Sequence, residues 1–122
     1  MIKPEELFTE VFEWKLTPGI LESSFNHDEK EEVIAWVDSE GSYKGLELPD
    51  LKDWNTMGMV IERMAELGFY LQTVNFDPKV KQVYFVTNGY AWFNDIPKGL
   101  GEAPTLPEAV YSAALAAVRG MG

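Results

Sequence analysis

Thr105-Leu106-Pro107-Glu108-Ala109-Val110-Tyr111-Ser112-Ala113-Ala114-Leu115-Ala116-Ala117-Val118 is the stretch that decides the fold. Thr105 and Glu108 stand in capping-box register, and Pro107 suits a first helical turn, so a helix is predicted over 105–119. Its alanines at 109, 113, 114, 116 and 117 leave little side chain between its axis and a neighbour. Such a helix can approach a sheet or another helix closely.

Upstream, the sequence supplies partners for it. Met57, Val60, Ile61, Met64 and Leu67 repeat at three-and-four spacing, which predicts an amphipathic helix over 55–67. Asn55 or Asp53 can accept from its first amides, and Gly68 permits the turn past its end. Between the two helices, segments 69–76, 82–87 and 90–94 are rich in aromatic and β-branched residues and read as an antiparallel meander. Asp77-Pro78 marks its first turn, and Asn88-Gly89 a two-residue hairpin turn. Residues 95–104, with Pro97, Gly99, Gly101 and Pro104, read as a loop.

Further upstream, Val33-Ile34-Ala35-Trp36-Val37, a turn over 38–42 and the segment 43–48 predict a hairpin. Pro4, Glu5 and Glu6, followed by Leu7, Phe8, Val11, Phe12 and Trp14, predict a helix over 4–15, stopped by Thr17-Pro18-Gly19. The segment 20–25 is ambiguous, and 26–32 reads as a polar loop or loose helical turn. The order helix, hairpin, helix, meander, helix predicts an α/β (α+β) layered α/β/α sandwich with a mainly antiparallel sheet. No repeat or linker divides it, and 122 residues suit one domain spanning 1–122.

Two of these segments resemble the phage ABA sandwich domain family of tailed bacteriophages and prophages. Asp53-Trp54-Asn55-Thr56-Met57 is similar to the Asp-x-Asn-x-Met opening of that family's middle helix, and 103–115 to its closing Ala/Thr/Pro turn and alanine-rich helix. With the strands between them, the likeness covers about 33–118. It implies the sandwich fold and a phage or prophage origin, and it carries no catalytic residues with it. Gly58 departs from the family pattern, as does the long acidic N-terminal section.

Charge is unevenly distributed. Formal net charge is −10, with 14 acidic against 5 basic residues in 1–53 and 6 against 5 thereafter. Ten Lys and Arg among 20 acids give no basic stripe for phosphate neutralisation, so no nucleic-acid partner is expected. A basic protein surface, or a groove that accepts DNA, suits this field better, although the same charge also serves solubility. Asp28, Glu29, Glu31 and Glu32 form the densest acidic group and the candidate protein contact. They lack the ligand spacing of a calcium loop.

Catalytic and cofactor chemistry finds few footholds. The absence of cysteine excludes disulfides and thiolate zinc or iron–sulfur sites. His27 is the one histidine and lies in a polar acidic run without a nucleophile or second ligand nearby in sequence. Gly99 and Gly101 lack the setting of a phosphate loop. No cofactor and no metal are expected, and the chain reads as a non-enzyme.

A ligand pocket stays open as an alternative. Tyr84, Tyr90 and Trp92 on adjacent strands, with Arg63, Lys79, Lys81 or Arg119 for a phosphate, could hold a nucleotide-like signal. The favoured reading is an accessory protein that binds a host or phage protein, including a counter-defence role. An immunity-type or structural protein is the third. No apolar leader or membrane span is visible, so a cytoplasmic protein without membrane contact is expected. Exposed strand edges and the alanine helix leave homo-oligomerisation open.

Overall fold

A computed structural model of the chain describes residues 2–22, 30–76, 79–87 and 98–120. Among the described residues, three helices and two three-stranded antiparallel sheets make an α+β fold. The elements run α1 (Pro4–Glu10), β1 (Lys15–Glu22), β2 (Lys30–Val37), β3 (Tyr43–Gly45), α2 (Trp54–Glu66), β4 (Tyr70–Phe76), β5 (Lys81–Val86), β6 (Gly99–Ala103) and α3 (Leu106–Arg119). One sheet is ordered β1-β2-β3 and the other β4-β5-β6.

The alanine-rich helix is the centre of the molecule. Ala109, Val110, Tyr111, Ala113, Ala114, Leu115 and Ala117 are all buried, so α3 is covered around most of its circumference. It lies on β5 and β6 and also contacts α1 and α2. The close approach comes from pairing alanine with glycine. A Cβ on Gly99 would meet the Ala117 amide nitrogen at 2.5 Å, and one on Gly101 would meet that of Ala113 at 2.5 Å, both closer than a Cβ can come to backbone without something shifting. Thr105 occupies the N-cap position but makes no side-chain capping bond, so the expected capping box is absent.

This packing explains a correction. The segment 95–104, read as a loop, contains β6, whose glycines argue against a strand on propensity and are required by the helix above them. β6 pairs with β5 from Lys81↔Ala103 to Phe85↔Gly99, and β4 takes the other side of β5. Both edges of β5 from Lys81 to Phe85 are therefore occupied, and the strand next to it is 99–103, not one entered through a two-residue turn at 88–89. The predicted strand 90–94 and the turn residues Asp77, Pro78, Asn88 and Gly89 lie outside the described residues.

The middle helix follows expectation. Asp53 accepts from the Asn55 amide at 2.9 Å, and Thr56 donates its hydroxyl to the Asp50 carbonyl at 2.7 Å. At the other end Gly68 (φ 92°) allows Phe69 to donate to the Met64 carbonyl at 2.8 Å and its own amide to donate to that of Ala65 at 3.0 Å, a Schellman closure.

The N-terminal region departs most from the sequence reading. α1 ends at Glu10, not residue 15. Glu13 takes a left-handed conformation (φ 59°), and the Trp14 amide donates back to the Phe8 carbonyl at 2.9 Å. That reversal places the Phe12 and Trp14 rings 4.9 and 4.7 Å from the Phe8 ring, so the same apolar residues join one cluster without one continuous helix. Thr17-Pro18-Gly19, read as a helix stop, lies inside β1. Pro18 is tolerated because β1 is an edge strand with β2 as its single neighbour. Lys30, Glu31 and Glu32, expected in a loop, open β2. The hairpin between 33–37 and 43–48 is present, with β3 confined to 43–45. The one sheet expected is thus two.

Candidate functional site

β1 and β2 form a two-stranded arm, in register from Lys15↔Val37 to Glu22↔Lys30. Eight residues on each strand pair with one another, and among the described residues no helix packs extensively along them. The base of the arm is anchored by Trp36, which is buried in the core with Trp14. Leu16 and Ile34, on the same face by alternation with Trp36, are 55% and 62% exposed. The two side chains make a small exposed apolar pair on one face of the arm.

Two of the four acidic residues predicted as a contact belong to this arm. Glu31 and Glu32 are positions of β2 opposite Leu21 and Ile20 of β1. Asp28, Glu29 and the candidate base His27 lie outside the described residues.

Next to the base of the arm, a groove of ≈ 470 Å³ separates the β2–β3 turn from α2. Asp38 and Glu40 line one wall, Glu62 and Glu66 the other, and Trp14 contributes to the floor. Asp38 is fixed by two backbone donors, the amides of Glu40 at 2.9 Å and Ser42 at 2.8 Å, which hold its carboxyl below the usual range. Lys44 approaches Asp38 at 3.5 Å and lies 6.0 Å from the Trp14 ring centroid. Arg63 lines the groove as well, so four carboxylates face two cations, Lys44 and Arg63, and the balance stays negative.

Arg63, predicted for a ligand phosphate, is already engaged. Its Nε donates to the Val11 carbonyl at 3.0 Å, past the end of α1, and its two terminal nitrogens face Glu66 at 3.2 Å and Glu13 at 3.8 Å. Tyr84 sits on β5 between Val83 and Phe85, which are fully buried beneath α3, so its ring takes the opposite sheet face. It lines neither the acidic groove nor the apolar one described below. Tyr90 and Trp92 lie outside the described residues. Arg63 and Tyr84 are thus not brought into one pocket. Arg119 is likewise engaged, clamped on Glu10 through Nε and a terminal nitrogen at 2.9 and 2.8 Å.

A second groove, of ≈ 760 Å³, went unnoticed in the sequence. Leu48, Leu51, Leu106 and Tyr111 line it, and Trp54, 61% exposed, stands at its rim. The Tyr111 hydroxyl donates to the Leu51 carbonyl at 2.8 Å. Burial, then the carboxylates of Asp53 and Asp50, push that phenol up to about 12. No sequence signal marked it, because Trp54 stands three and seven residues before Met57 and Ile61, where helical spacing places a side chain with the apolar stripe.

Among the described residues no group of three His, Cys, Asp or Glu is arranged to hold a metal ion, and no helix is long and apolar enough to cross a membrane. No family model, curated protein or solved structure matches the chain.

Proposed function

We propose that this chain is a non-catalytic binding protein, acting in the cytoplasm of a bacterial host, which engages a basic surface of a host or phage protein. The β1–β2 arm is the contact. Its exposure of Leu16 and Ile34 beside a strand carrying Glu31 and Glu32 is the observation that carries this reading. Apolar side chains supply the desolvated anchor of such a contact, and acidic positions on the same strand steer and select a basic partner. The acidic groove at the base of the arm extends the same surface. The phage or prophage setting, and with it a role in countering host defence, rests on the resemblance of 53–57 and 103–115.

Affinity capture from bacterial lysate tests it. The immobilised protein should retain a specific basic protein at low salt and release it as salt screens the charges. Changing Glu31 and Glu32 to Lys should abolish retention. A lysate that yields nothing specific, or a partner held equally by the charge-reversed variant, would sink the proposal.

A further inference from the structure

We infer that the groove between the Leu48–Trp54 segment and the start of α3 binds a small, uncharged, ring-bearing apolar ligand. Its volume of ≈ 760 Å³ lies within the range of about 300–1,000 Å³ typical of small-molecule sites. Its walls are mainly leucine, proline and aromatic surface, with few polar groups. Trp54 is the decisive feature. It opens α2 with most of its ring in water, while Thr56, Val60 and Met64 carry the helix's buried face. An exposed indole over an apolar trough offers a stacking surface to a ring.

The charges define the ligand further. Asp50 and Glu108 stand on the rim against Lys52 and Lys81, so within a strongly acidic molecule this depression is locally balanced. An ion of either sign would meet as many like charges as opposite ones, and would lose its hydration against leucine and proline without a net gain. A neutral ligand incurs neither cost. The floor is also chemically quiet, because the Tyr111 hydroxyl is already satisfied by the Leu51 carbonyl. The site stands apart from the arm and does not depend on the protein-binding role assigned to it.

Fluorescence titration of the full chain with N-phenyl-1-naphthylamine, an uncharged dye, tests this. One dye per chain should bind saturably with a rise in emission. Trp54→Ala, which removes an exposed side chain and leaves the fold in place, should weaken binding at least tenfold, and Leu106→Glu should remove it. The sulfonated relative 8-anilino-1-naphthalenesulfonate should bind at least tenfold more weakly, and charge reversal at Glu31 and Glu32 should leave the uncharged dye's affinity unchanged. Absence of saturation, undiminished binding by Trp54→Ala, or equal affinity for the sulfonate would each overturn the inference.

Discussion

The α-carbon of Gly101 lies so close to α3 that any side chain there would run into Ala113: a Cβ would stand 2.5 Å from its amide nitrogen and 3.0 Å from its own Cβ. Helix backbone and strand backbone are in direct contact, and glycine facing alanine is what allows it. Gly101→Ala should therefore destabilise the protein by about 3 kcal/mol or more, at the upper end of overpacking costs, since the obstacle is backbone that cannot rotate away. Gly58→Ala provides the opposite sign. Gly58 lies inside α2 with open space where a Cβ would go, so alanine there should stabilise by roughly 0.5–1 kcal/mol. Urea unfolding of the two variants checks both signs with one substitution type.

Tyr111 joins α3 to the segment that precedes α2. Tyr111→Phe keeps the ring and leaves the Leu51 carbonyl without its donor, which should cost about 1–2 kcal/mol. The same group sets a dependence on alkaline pH. Its folded pKa of about 12 is above the ordinary 10.0, so the fold favours the protonated phenol. That contribution is complete below pH 10 and is lost as pH climbs from 10 towards 12. Unfolding free energy measured from pH 9 to 12 should fall more steeply for the wild type than for Tyr111→Phe.

At the acidic end the pair Glu10–Arg119 behaves inversely. The two-pronged bond from Arg119 holds the Glu10 carboxyl below its usual value, which ties the end of α1 to the end of α3. A depressed carboxyl stabilises above its unfolded pKa of 4.5 and loses that effect as pH falls through the folded value. Arg119→Ala should thus lower stability at pH 7, with the difference from wild type shrinking below pH 4.5. Because both side chains are substantially exposed, the gap should also narrow in high salt. Thermal unfolding at pH 7 and pH 3, with and without added salt, reads out both effects.

These packing relations show which parts of the fold were legible. The helix over 54–66 was readable because its stripe, its Asp53 cap and its Gly68 closure all speak locally. The alanine run pointed to a close approach, but it could not say that Gly99 and Gly101 were what it approached. Their strand was hidden because the tertiary contact that requires glycine also erases β-propensity. β1 was hidden for a different reason. Its Pro18-Gly19 is a helix-stop signal in sequence and a harmless edge position in the sheet. Helix periodicity over Leu7 to Trp14 was likewise misleading, since the left-handed turn at Glu13 lets Phe12 and Trp14 reach Phe8 from outside the helix.

Site residues divide along the same line. Charge patterning put Glu31 and Glu32 forward, because acidity is a property of the sequence itself, and the fold adds only their positions on β2. Composition could not assign partners, so Arg63 was read as available for a phosphate when the Val11 carbonyl and two glutamates hold it. The apolar groove needed four separate segments to be brought together, around residues 2–4, 48–54, 81 and 105–111, and no local pattern encodes that.

The arm is the claim on which the functional account rests. Its most direct test is a calorimetric titration of the captured, purified partner against the wild type and a variant carrying Leu16→Asp and Ile34→Asp. Both side chains are exposed, so the variant should keep the wild-type unfolding midpoint. The account predicts at least a tenfold loss of affinity at equal stability. Binding as tight as that of the wild type would contradict it.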